Sequence, residues 1–210
     1  MKMRKTLLAA LAAGTSLLLA LPPASSQQAA PLTAEQAAQI VASPDRSAAD
    51  RTNDQRRKPE QLLVFIGPRP GITALDLSAA GGYTTELLAR AIGPSGAVYG
   101  QSRPRPSQPT PPPPAPEGNS HPSATPSPPP ATPAAAPRPS PVALAERDKA
   151  LQSAGIKAAP ITALTRPFED PVPSELATDR FDLVTLMFNY HDLGHLGIDR
   201  AAMNLSLIHI

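Results

Sequence analysis

Two clusters of residues could do chemistry together. The first is Asp76 followed by the small-residue run Ser78, Ala79, Ala80, Gly81, Gly82, and then Tyr83. No bulky side chain stands in that run, so a ligand can approach the backbone closely, and a helix starting there offers unpaired N–H groups beside it. The second is Asn189, Tyr190, His191, Asp192, with His195 and Asp199 just beyond. His191 has an intrinsic pKa suited to taking a proton near neutrality, Asp192 could orient a neighbour, and Tyr190 could pack on a flat ligand. These residues could equally cap a strand and fill a pocket wall. A metal site built from His191, Asp192, His195 and Asp199 is disfavoured, because the spacing alone does not converge them and no helical H-x-x-x-H with a catalytic Glu is present.

The elements that must position these clusters are legible in the apolar pattern. Residues 72–77 read as a strand buried on both faces, ending on Asp76. Leu87, Leu88, Ala91 and Ile92 then recur at helical spacing, stopped by Gly93 and Pro94. Strand, small-residue loop and helix open a nucleotide-binding α/β unit, and a NAD-type turn or a plain connection reads the same way. Residues 97–100 form a second short strand ending at Gln101, 142–154 an amphipathic helix, 158–164 a third strand, and 181–188 a fourth, the most apolar. In an open sheet of this kind ligands bind beyond the carboxyl ends of the strands, which places both clusters on one crevice. Upstream, Thr33 and Gln36 make a capping box that opens a helix through Val41. A charged arm over 45–58 follows, read either as a solvated helix laced with ion pairs or as an arm folded over the pocket. Residues 59–66 predict a helix with Leu62, Leu63, Phe65 and Ile66 turned inward and Gly67 as its left-handed cap.

With these motifs in place, the chain resembles the class I S-adenosylmethionine-dependent methyltransferases. Their first motif has an acid and then three alternate glycines; here those positions are Ser78, Ala80 and Gly82, so only the last glycine is kept. A second resemblance lies in Pro167, Phe168, Glu169 and Asp170, followed after a short loop by Phe181, Asp182, Leu183 and Val184, the stretch that joins strands three and four in that family. The Asn-Tyr-His-Asp-Leu wording at 189–193 and residues 199–204 look like predicted bacterial methyltransferases that also carry signal peptides. The resemblance covers about residues 40–101 and 142–204. It implies S-adenosylmethionine as cofactor, held by Asp76, Ser78, Ala80, Gly81, Gly82, Tyr83, Gln101 and Asn189, with Gln101 at the ribose where the family commonly has an acid. It implies His191, Asp192 and Tyr190 as catalytic candidates toward an acceptor that the sequence does not identify. It also implies a Rossmann-like α/β fold in strand order 3-2-1-4, the first part of a seven-stranded sheet ordered 3-2-1-4-5-7-6, and hence a C-terminally truncated domain in which the fourth strand lacks its fifth neighbour and the fragment is inactive.

The remaining segments set the context. Lys2, Arg4 and Lys5 precede an apolar run over 6–21 that is too short for the ~20 residues of a membrane span, so residues 1–26 read as a signal peptide and the protein as exported, in the periplasm, without a stable membrane anchor. The 210-residue chain has no cysteine, which excludes disulfides and thiolate metal sites, and its net charge of +2 gives no argument for nucleic acid. Residues 102–141 are crowded with proline among Ser, Thr and Ala and read as a disordered insertion. It is a tolerated surface loop, a ligand for a Pro-binding partner, a cell-wall tether or a product of a frame error. The expected organisation is thus a leader (1–26), an arm (27–58), a methyltransferase domain (59–204) interrupted by the insertion, and a foreign tail (205–210). The alternative function is a non-catalytic exported binding protein on the same scaffold.

Overall fold

A computed structural model describes residues 30–105 and 138–210. The leader and most of the proline-rich stretch lie outside the described residues. Four parallel strands, β1 (Thr73–Leu77), β2 (Ala97–Ser102), β3 (Ile161–Thr165) and β4 (Leu183–Leu186), form one sheet in the order β3-β2-β1-β4. This is the expected Rossmann-like α/β arrangement. In register, Asp76 stands beside Gly100 on one side and Thr185 on the other.

The pleat sends alternate residues of β1 into two cores. Ala74 joins Val98, Leu88, Ile92, Leu144 and Leu151 beneath α4 (Tyr83–Ile92) and α5 (Ser140–Ser153). Leu75 and Leu77 join Phe168, Val172, Leu193 and Met203 on the other face, where α6 (Arg200–His209) packs. Both faces are therefore covered, as a run of apolar residues in a parallel strand requires. Helix α6 starts on Asp199, whose carboxylate accepts from the amides of Ala201 and Ala202 at 2.9 and 3.0 Å. It runs through residues 205–209, and Ile210 is buried, its carbonyl accepting from the Arg180 and Phe181 amides.

The described part of the arm carries two helices, α1 (Ala34–Ala42), which opens on the Thr33 and Gln36 capping box, and α2 (Ala48–Arg57); α3 (Pro59–Ile66) follows and ends on Gly67 at φ 59°. Leu63 is buried with Ala37, Leu87 and Ala91, but Phe65 is 88% exposed. The inward placement of Phe65 is thereby corrected: two residues along a 3.6-residue period turn it away from Leu63, and the stripe that packs is Leu63 with half-buried Leu62 and Ile66. The edges of the proline-rich stretch are also corrected. Ser102 completes β2, and Ser140 and Pro141 belong to the first turn of α5, where a proline sacrifices no intrahelical bond. Among the described residues, no helix is long and apolar enough to cross a membrane.

Candidate functional site

The loop between β1 and α4 has an unusual backbone. Ser78, Ala80 and Gly82 all have positive φ, at 57°, 48° and 77°. Those are the three alternate positions of the glycine motif, and the left-handed region is the reason glycine suits them. Ser78 and Ala80 adopt it against the steric preference of a Cβ, at a cost of roughly 1 kcal/mol each. Gly82 has a second constraint, because a Cβ there would lie 2.7 Å from Leu144 Cδ2 and 2.8 Å from Arg147 Cδ.

Bonds from below hold this loop. The Ala79 amide donates to the Gln101 carbonyl at 2.9 Å, and the Ser78 amide to Gln101 Oε1 at 3.1 Å. Gln101 Nε2 in turn donates to the Arg166 carbonyl at 2.6 Å. With its residue 0% exposed and both ends of its amide bonded, Gln101 is a strut beneath the loop, and it is not among the residues that line the cavities beside Ser78. Ser78 Oγ accepts from Asn189 Nδ2 at 2.5 Å, which ties the loop to the end of β4.

Asp76 lies under the loop, 2% exposed, accepting from Thr85 Oγ1 at 2.6 Å and Thr185 Oγ1 at 2.9 Å. Burial pushes its carboxyl up to about 6; the two threonine bonds and the positive charge of Arg57 pull the other way without overcoming it. Sequence reasoning missed Thr85 and Thr185. Their signal was there: Thr185 is the one polar residue in the β4 run, and it pairs with Asp76 in register.

A groove of about 690 Å³ between α2 and α5, lined by Ala49, Gly81, Glu86 and Arg147, borders the loop, and two further cavities share Ser78, Ala80 and Asn189 as a wall. The smaller, about 240 Å³, is completed by Arg57, Asp76, Gly81, Tyr83, Met187 and Phe188. The larger, about 440 Å³, is completed by Ser102, Arg103, Thr165, Phe168, Asp192 and Leu196, and its volume is in the range of small-molecule sites. Of the cofactor candidates, Asp76, Ser78, Ala80, Gly81, Tyr83 and Asn189 are thus brought together, while Gly82 shapes the turn from behind. Of the catalytic candidates, only Asp192 lines a cavity. His191 is 77% exposed at its side chain, 3.3 Å from Asp192 Oδ1, and Tyr190 bonds Asn204 Nδ2 at 3.1 Å with Arg200 over its ring. Among the described residues, no group of three or more His, Asp or Glu side chains is assembled as a metal-ligand set.

The arm closes one side of the site. Arg147 on α5 donates to the Gly81 carbonyl and pairs with Asp50 of α2 and Glu86 of α4, while Arg46 pairs with Asp54 and Arg90 with Asp45 and Glu86. Tyr83 OH donates to Asp54 Oδ1 at 2.6 Å; burial and that carboxylate hold the phenol well above its usual pKa. Burial alone would raise Asp50 and Asp54, but the bonds from Arg147 and Arg46 outweigh it and hold both carboxyls below the usual range. The reading of the arm as a solvated helix with ion pairs at helical spacing is thereby corrected: among the described residues Arg46 meets Asp54 eight positions on, Asp45 and Asp50 pair with Arg90 and Arg147 of other helices, and Arg46 and Asp50 are buried.

No family model matches the chain, and no curated protein matches it. Among solved structures, a SAM dependent methyltransferase from Aquifex aeolicus superposes with a TM-score of 0.45 at 15% sequence identity. The match covers 84% of this chain and 65% of that one, so the chain spans less than two thirds of that protein's length.

Proposed function

We propose that the crevice binds S-adenosylmethionine and that the protein to which this chain belongs is an exported methyltransferase acting on an acceptor still to be found. The observation that carries this reading is the run of left-handed residues at 78, 80 and 82, the glycine positions of the family's first motif, set over a buried carboxyl at the carboxyl end of β1. A backbone that keeps this path at Ser78 and Ala80, where it is strained, is a path the site uses. The residues fit the cofactor in a second respect: Asn189 Oδ1 and Arg57 Nε are buried without a hydrogen-bond partner, beside the smaller cavity.

When bound, S-adenosylmethionine supplies a methyl group on a sulfonium, activated for in-line displacement. The protein's task is then positional. The Ser78 to Gly82 backbone gives close access, and the first-turn amides of α4 at Tyr83 and Thr84 offer donors without intrahelical partners. The arm excludes water from the Tyr83 side. For an acceptor that carries a proton, the candidate base is Asp192, the carboxylate that lines the larger cavity, with His191 Nε2 3.3 Å from its Oδ1.

Titration calorimetry of the full chain with the cofactor product S-adenosylhomocysteine tests this. The expected result is saturable binding of one equivalent, with a dissociation constant below ~1 mM. No heat at millimolar ligand would replace the reading with that of a non-catalytic binding protein on this scaffold.

A further inference from the structure

Arg57 is the last residue of α2 and sits outside the α/β unit, yet it lines the cavity over Asp76. Its guanidinium carbon lies 4.8 Å from the centroid of the Tyr83 ring and 5.0 Å from that of Phe188. The backbone on both sides is set for this. Lys58 turns at φ 48° into Pro59, fixing the end of α2, and Phe188 stands at φ 70°, a conformation uncommon for a bulky residue, which brings its ring against the arginine.

Arg46, Arg90 and Arg147 all meet carboxylates. Arg57 has no such partner among the described residues, and its Nε is buried without an acceptor. Two rings attract a cation by roughly 0.5–2 kcal/mol each but accept none of its N–H groups in the way an anion does. Asn189 lines the same cavity, and its Oδ1 is buried without a donor, its Nδ2 being committed to Ser78 Oγ. The wall thus offers both a cation with free donors and an unfilled acceptor.

We propose that Arg57 is the anion anchor of the site: together with Asn189 Oδ1 on the wall of the same cavity, it recognises an α-amino-carboxylate, Arg57 taking the carboxylate and Asn189 the ammonium. This rests on the reading of the crevice as a cofactor site and names the part of the cofactor that the smaller cavity holds, its amino-acid end. It makes the arm a component of the site, because the recognising charge comes from α2.

The test is calorimetry of the full chain with S-adenosylhomocysteine and with its decarboxylated analogue, for the wild type, Arg57→Met and Arg57→Lys. The wild type is expected to prefer the carboxylate-bearing ligand by at least ~tenfold, the usual scale of a charge-assisted contact. Arg57→Met should bring that ratio close to one while leaving the affinity for the decarboxylated ligand within ~twofold, and Arg57→Lys should keep part of it, as a point charge without the planar fork. Equal affinities in the wild type, or an unchanged ratio in Arg57→Met, overturn the assignment and leave the cofactor reading standing. Failure of the wild type to bind either ligand overturns the cofactor reading, and Arg57 with it. Each ratio is internal to one protein, and a cooperative melt checks the fold of each variant. If Arg57→Met does not fold, the wild-type and Arg57→Lys ratios decide.

Discussion

At Asp76 a carboxyl is kept from water by the loop above it and receives two hydroxyl bonds in return. Its folded pKa of about 6 lies above the ~3.9 of an unfolded aspartate, so between these values the folded state binds more protons than the unfolded state. The stability this contributes is fully present below pH ~4 and is lost as pH rises through ~6, a change of about 3 kcal/mol. Asp76→Asn should remove that slope: the stability difference between variant and wild type, from urea denaturation at pH 4 to 8, should move by about this amount in the variant's favour as pH rises, and parallel curves would sink the idea. The arm carboxylates act in the opposite sense. Asp45, held down to about 2 chiefly by its bond from Arg90, and Asp50 and Asp54, held below the usual range, contribute stability that is lost as pH falls through their folded pKa values. At this scale the sequence showed where Asp76, Ser78 and Asn189 would meet, because strand ends and small-residue loops leave a local signature. It did not show that Gln101 is a strut or that His191 stands outside both cavities, since a side chain's direction depends on packing from elements far away in the chain. Arg57 was hidden for the same reason, one charge among many in the arm.

Helices α2, α4 and α5 meet at one guanidinium. Arg147 meets Asp50, Glu86 and the Gly81 carbonyl, and its side chain is 19% exposed. Arg147→Met would leave two carboxylates facing one another with little water between them. The expected loss is about 2–4 kcal/mol in urea denaturation at pH 7, at the lower end of what breaking a buried pair costs because the site is not fully closed. A loss under ~0.5 kcal/mol would mean that the arm is held by other contacts. Elements were the most legible level of this chain: the capping box at Thr33, the Gly67 and Gly93 stops and the apolar run of β1 each state a local rule that the fold obeys. The exceptions come from packing that a local pattern does not carry. Phe65 has the residue type of a core position but not its helical phase, and the strand expected over 181–188 is only Leu183–Leu186, since β4 has β1 as its sole sheet partner among the described residues. There Leu183, Val184 and Leu186 are half-buried, and the free edge offers backbone groups for pairing with another chain.

In the whole molecule, the sheet, the arm and α5 converge on the carboxyl ends of β1 and β4, and each supplies one wall of the same crevice. The sheet order followed from the family resemblance of the sequence, which implies 3-2-1-4. The covering of the crevice did not, because it depends on ion pairs between residues as far apart as Asp50 and Arg147. The central claim is that the strained loop over Asp76 is where S-adenosylmethionine binds, and amide hydrogen exchange of the full chain with and without S-adenosylhomocysteine addresses it directly. The predicted result is slowed exchange at residues 78–84 and 187–189, with α1 and β3 unchanged. Unaltered exchange at residues 78–84 under saturating ligand, or protection confined to the groove between α2 and α5, would contradict it.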